Sequence, residues 1–130
     1  MKPSDHVRKL LIVDDDTGVA EAFRQYIGKA LGEGWSITVE HTVAGALERL
    51  LGGGFDVCLT DYMLDADMTA LDLVERAVDV APELRGRFIV CTGLFLDPEH
   101  EIFSELGCRR LDKPFAIDDL LAVVAETVGG

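Results

Sequence analysis

Four short apolar runs in this chain each end on a polar group able to handle phosphate or a metal ion. Asp14-Asp15-Asp16 follow residues 10–13, Asp61 follows 57–59 after Thr60, and Thr92 follows 88–91. Lys113, with Pro114 behind it, follows the weaker run 108–111. If each run is a strand of one parallel α/β sheet, all of these groups emerge at the carboxyl ends of the strands, the edge where such sheets bind ligands. Two carboxylates about 4 Å apart repel by roughly 4 kcal/mol at an effective dielectric of about 20. Asp14, Asp15 and Asp61 gathered at one mouth therefore either raise their pKa values or hold a cation. An all-oxygen ligand set suits Mg²⁺, which keeps several waters and is commonly completed by a phosphate oxygen. Lys113 can balance a second phosphoryl oxygen, and the Thr92 hydroxyl can donate to a third.

Such a mouth exists only if the intervening segments return the chain to the same edge each time. Apolar residues recur at Val19, Ala22, Phe23, Tyr26, Ile27, Ala30 and Leu31 with the spacing of an amphipathic helix. Residues 36–40 alternate instead, as a half-exposed edge strand does. Val43, Leu47, Leu50 and Leu51 mark a second helix, and Gly52-Gly53-Gly54 can take the left-handed conformation that ends it. Leu71, Val74, Val78 and Ala81 form a third helical face, stopped by Pro82. Asp97 as N-cap, Pro98 as first helical residue and Gly107 as stop predict a fourth helix over 98–106. Ile117, Leu120, Leu121, Val124 and Val128 predict a fifth. This alternation predicts a flavodoxin-like (βα)5 fold, an α/β doubly wound five-stranded parallel sheet. Continuous apolar runs belong to central strands and the more polar second and fifth to the edges, which predicts the strand order 2-1-3-4-5.

At 130 residues the chain reads as one domain, 1–130, able to bury a single sizeable core. Its 48% apolar and 28% charged residues are those of a globular protein. A formal net charge of −12 repels phosphate backbones and anionic lipids, which argues against nucleic-acid and membrane partners. The charged N-terminus is followed by only four apolar residues, 10–13, too few for a signal-peptide core or a membrane span. Cys58, Cys91 and Cys108 are odd in number, sit in apolar contexts and lack CxxC spacing. They read as reduced, buried thiols of a cytoplasmic protein. His6, His41 and His100 have no ligand spacing and are assigned no chemistry.

Four motifs, in order and at matching spacing, resemble those of two-component response-regulator receiver domains over nearly the whole chain. They are Leu11-Ile12-Val13-Asp14-Asp15-Asp16, Leu59-Thr60-Asp61-Tyr62-Met63-Leu64, Val90-Cys91-Thr92-Gly93 and Leu111-Asp112-Lys113-Pro114-Phe115. Any one alone is weak; together they are specific. The resemblance implies that Asp61 accepts phosphate from the phosphohistidine of a sensor histidine kinase or histidine phosphotransfer protein. It implies that Asp15, Asp61 and the Met63 backbone carbonyl hold Mg²⁺, with Asp14 assisting through water. Thr92 and Lys113 would contact the phosphoryl group and relay the change to a downstream protein target. Receivers are known examples of the 2-1-3-4-5 order, so polarity and resemblance agree on it.

Three departures from the receiver pattern stand out. Asp65 occupies the position of a usual Pro, Thr69-Ala70 stands where a Gly is usual, and the loop is one residue longer. Arg110 replaces the usual aromatic switch residue three before the lysine, and Gly107 is one residue closer to Lys113 than is usual. Val90-Cys91-Thr92-Gly93-Leu94-Phe95 loosely resembles the Phe-Ala-Thr-Gly-hydrophobic-Tyr motif of the atypical, mostly single-domain FATGUY receivers.

Taken singly, each group has a plainer role. Asp14-Asp15-Asp16 could be a solvated strand end capping the first helix through Asp16 or Thr17, Thr92 a strand-end β-branched residue and Lys113 a surface charge. Arg109-Arg110 reads as a charged edge strand that resists aggregation. Three functions compete. The leading one is a stand-alone phosphoryl-accepting switch, not an enzyme, whose output is through protein contacts unless the chain is part of a longer protein. A pseudo-receiver that docks without being phosphorylated is the second. The third, a haloacid-dehalogenase-like phosphatase, needs Thr where Gly18 stands and lacks a cap insertion.

Overall fold

In the computed structural model, which describes residues 7–65, 68–92, 97–113 and 115–129, strands and helices alternate along the chain. Strand β1 (Arg8–Val13) is followed by helix α1 (Thr17–Leu31), β2 (Trp35–Glu40), α2 (Val43–Gly52) and β3 (Val57–Asp61). A short antiparallel pair, β4 (Met63–Asp65) and β5 (Met68–Thr69), leads into α3 (Ala70–Val80) and a single 3-10 turn at Pro82–Leu84. Then come β6 (Phe88–Thr92), α4 (Asp97–Glu105), β7 (Arg109–Asp112) and α5 (Ile117–Gly129).

The main sheet has the order β2-β1-β3-β6-β7, all parallel, which is the 2-1-3-4-5 arrangement once the β4-β5 pair is set aside. Polarity explains it. All of β6, and β3 up to Asp61, is buried, whereas β2 is nowhere fully buried and β7 only at Leu111. Successive side chains of a strand point to opposite faces, so each central strand feeds two cores. Leu11, Val13, Cys58 and Phe88 pack with Ala46, Leu50, Leu73 and Ala77 of α2 and α3. Leu10, Ile12, Leu59, Ile89 and Cys91 pack with Ile27 of α1 and Leu120 and Val124 of α5. Cys58 and Cys91 are buried, as their apolar contexts predict, whereas Cys108, also expected to be buried, is half-buried beside the edge strand β7; all three are free thiols. No helix among the described residues is long and apolar enough to cross a membrane.

Several boundaries differ from the sequence expectation, each for a local reason. Helix α3 starts at Ala70 because Thr69 caps it: its hydroxyl accepts from the Leu71 N–H at 3.2 Å, and the Asp72 carboxylate accepts from the Thr69 N–H at 2.8 Å. Pro82 does end α3, but it opens the 3-10 turn, where its missing N–H is no loss. Helix α4 begins at Asp97, and the capping roles given to Asp97 and Pro98 fall outside the described side chains, as Gly93, Leu94, Phe95 and Pro114 fall outside the described residues. Arg109 and Arg110 are half-buried and tethered, not freely solvated. Arg110 donates to the Asp112 carboxylate at 2.5 Å and Arg109 to the Gly86 carbonyl at 3.2 Å. A guanidinium carries enough donors to satisfy itself while its stem covers apolar surface.

Candidate functional site

Strand register assembles the site. Val13 pairs with Thr60 across β1 and β3, so the next residues, Asp14 and Asp61, leave the sheet side by side. Parallel strands lie about 4.8 Å apart. One carboxylate oxygen from each of Asp14, Asp15 and Asp61 falls within 4.8 Å of the others. On the other side Asp61 pairs with Cys91 and Thr92 with Asp112, and the Lys113 N–H donates to the Thr92 carbonyl at 3.0 Å. That bond sets Lys113 to reach back over the mouth, where its Nζ donates to Asp61 Oδ1 at 2.7 Å.

The three consecutive aspartates divide their work. Asp14 is 4% exposed and its Oδ1 accepts the Asp16 N–H at 3.0 Å. Asp16 caps α1, accepting the Val19 N–H at 3.0 Å, so the capping reading holds for this residue. Asp15 is exposed at the mouth beside Asp14. Burial pushes the Asp14 carboxyl above its ordinary range, and the neighbouring Asp61 and Asp15 charges push the same way. The Asp16 N–H and Lys113 oppose them without prevailing. Burial works to lower the Lys113 ammonium, but its bond and charge pairing with Asp61, with help from Asp14, leave it raised and firmly protonated. The mouth thus carries more negative charge than its one lysine balances.

The donor set fits Mg²⁺, being carboxylate oxygens with one side open to water. The Met63 backbone carbonyl is not taken up by the β4-β5 pair. Met63 faces Thr69 across that pair, while the Ala70 N–H donates to the Tyr62 carbonyl at 2.7 Å and the Thr69 N–H is taken by Asp72. Met63 is therefore the non-hydrogen-bonded member of the ladder, and its carbonyl points away from β5. Beneath the carboxylates the cavity, walled by Ile12, Phe23, Leu59 and Cys91, holds only about 10 Å³.

Some contributors had no signal in the sequence. A ring nitrogen of His41 lies 3.0 Å from the Asp14 carbonyl, because the Val13 and Glu40 pairing makes residue 41 the neighbour of 14. The Thr60 hydroxyl donates to the Asp61 carbonyl at 3.0 Å and pins the strand end. Tyr62 is buried, its ring edge-on to Phe103 of α4 with centroids 6.2 Å apart. The Thr69-x-x-Asp72 cap did have a signal, since that spacing is the mark of a capping box.

No protein-family model matches the chain. Individual relatives do. The chain is 29% identical over 117 residues to the response regulator receiver protein CpdR of Brucella abortus, covering 88% of this chain and 92% of that one. It is 28% identical over 115 residues to the transcriptional regulatory protein DltR of Streptococcus agalactiae, of whose length it spans 49%. Among solved structures, a CheY-like receiver domain protein from Methanospirillum hungatei superposes with a TM-score of 0.81 at 26% identity, covering 95% of this chain and 94% of that one. The chemotaxis protein CheY4 of Vibrio cholerae shares the fold at a TM-score of 0.80 and 20% identity, covering 93% and 98%. Strand order, the acidic mouth with its lysine, and these relatives converge on one class: the chain has the fold of CheY-like receiver domains and is similar in sequence to response-regulator receiver proteins.

Proposed function

We propose that the chain is a phosphoryl-accepting switch in a two-component system, with Asp61 as the acceptor. The observation that carries this reading is the juxtaposition at one open mouth of three carboxylates with a lysine bonded to Asp61. A phosphohistidine offered by a sensor histidine kinase or histidine phosphotransfer protein meets an Asp61 oxygen. That oxygen attacks phosphorus, the P–N bond breaks, and its electron pair returns to the imidazole ring, which is released neutral or takes a proton from water. Lys113 leaves Asp61 for a phosphoryl oxygen, and the Thr92 hydroxyl donates to another. Asp15, Asp61 and the Met63 carbonyl would hold Mg²⁺, with Asp14 acting through water. Bound there, the ion would neutralise the charge that phosphoryl oxygens bring to an already acidic site.

The acyl phosphate is a stored signal that alters contacts with a downstream protein, in the cytoplasm where such kinases present their phosphohistidine. Incubation with acetyl phosphate and Mg²⁺, read by intact mass, tests the proposal. One added phosphate is expected on the wild type and none on Asp61→Asn. An unmodified wild type would leave the docking module, and steady ester turnover would indicate the phosphatase.

A further inference from the structure

The edge of the sheet opposite the acidic mouth gathers positive charge in a chain whose formal net charge is −12. A recess of about 520 Å³ there is lined by Arg8, Arg85, Arg87 and Arg109, with Asp56 and Glu83 as its acidic members. A third of the chain's 12 lysines and arginines thus line one recess, against two acids in its lining and Glu126 beside Arg109. Arg8 opens β1, and Asp14 lies just past its other end, so at about 3.3 Å per residue the two sites are roughly 20 Å apart.

The walls are built closely. Gly86 and Gly107 both have positive φ, 83° and 79°, and a Cβ on Gly107 would meet the Gly86 nitrogen at 3.2 Å, so the two turns touch where only glycine fits. Backbone carbonyls orient the guanidinium groups. Arg87 donates to the Glu83 and Phe55 carbonyls at 3.1 and 3.2 Å, Arg109 to Gly86 at 3.2 Å, and Arg85 to Glu105. A carbonyl fixes a guanidinium without cancelling its charge, and each guanidinium has five donors. The nearest acids are loose: Asp56 is 3.9 Å from Arg87, and Glu126 is 3.7 Å from Arg109 with its own side chain 67% exposed. Planar guanidiniums held in place around a recess match oxygens clustered on phosphorus, which they bind two at a time. The volume is also within the roughly 300–1,000 Å³ of small-ligand pockets.

We propose that this arginine-lined recess is a binding site for a compact oligophosphate, such as the diphosphate or triphosphate of a nucleotide. It is a second site, separate from the acidic mouth. The test is a Mg²⁺-free amide NMR titration at constant ionic strength with pyrophosphate, then with GTP and ATP. Saturable shifts centred on Gly86, Arg87, Gly107 and Arg109 are expected. Arg8→Glu, at an exposed strand start, should weaken pyrophosphate binding at least tenfold while acetyl phosphate still modifies Asp61 at the wild-type rate. Tighter binding of a nucleotide than of pyrophosphate assigns the ligand to nucleotides, and equal binding assigns it to free oligophosphate. Shifts centred on residues 14, 61 and 113, undiminished binding by the folded Arg8→Glu variant, or tighter binding of an aspartate-rich peptide than of any phosphate would each overturn the proposal.

Discussion

Asp61 is held by Lys113 on one oxygen, while Asp14 is forced toward its neutral form by burial and by Asp61 itself. Removing a charge from this cluster has two opposed effects. Asp61→Asn relieves carboxylate repulsion but strips Lys113 of its partner, a half-exposed pair of the kind worth at most about 1 kcal/mol. The variant is expected to stay folded, with a stability change within about 1 kcal/mol in urea denaturation, while losing phosphorylation. The thiols give a clear pH signature. Burial raises Cys91 and Cys108 from 9.0 to about 12, and Cys58 higher still. A folded pKa above the unfolded one means the stability these groups contribute is complete below about pH 9 and is lost as pH rises from 9 toward 12. Native protein should therefore resist iodoacetamide at pH 8.5, and urea midpoints should fall steeply only above pH 9. Full alkylation of native protein at pH 8.5 would show the thiols to be accessible.

The elements following Asp61 depart from the usual receiver pattern and compensate for it locally. In place of a proline and a glycine, the chain has a β4-β5 pair and a Thr69 cap that starts α3. Thr69→Ala should cost about 1 kcal/mol in urea denaturation. It should also weaken Mg²⁺-dependent stabilisation, because the Met63 carbonyl loses its fixed direction; an unchanged Mg²⁺ response would separate the cap from the site. Arg110 occupies the usual aromatic position and is engaged with Asp112, so the described aromatic link between the site and α4 is Tyr62 against Phe103. Phosphorylation next to Tyr62 is expected to be read out in α4 through that edge-on pair. Phe103→Leu preserves apolar volume but removes the ring. It should leave acetyl phosphate labelling intact and abolish the beryllofluoride-induced change in hydrogen exchange over residues 101–105. The same protection change in the variant would assign the readout to another path.

Across the whole molecule, charge is segregated between the two edges of one sheet. Carboxylates crowd the carboxyl edge, arginines the amino edge, and the covered central strands separate them. Only the folded chain brings Asp15 and Asp61 together, since they meet through β1 and β3. Mg²⁺ should therefore stabilise the wild type by RT ln(1 + [L]/Kd), about 2.7 kcal/mol at one hundred times Kd. Asp15→Ala should lose most of that gain in thermal unfolding. Equal Mg²⁺-dependent shifts in Tm for both proteins would reject this ligand set.

Local periodicity and polarity were enough to order the strands, place the helices and pick out Asp14, Asp15, Asp61, Thr92 and Lys113 as groups bound for one edge. A strand that ends on a charge announces its own direction, and an apolar run too continuous for an edge announces its place in the sheet. What each group does there depends on contacts between distant segments, which no local pattern encodes. Three adjacent aspartates look alike in sequence, yet burial, solvent and a helix end divide them into a raised carboxyl, an exposed acid and a cap. His41 reaches Asp14 only because β1 and β2 pair in one register. Arg8, Arg85, Arg87 and Arg109 are scattered over a hundred residues and meet only where parallel strands begin together. Register and packing are properties of the closed sheet, set by cores on both faces at once, so they were decided by the tertiary structure alone.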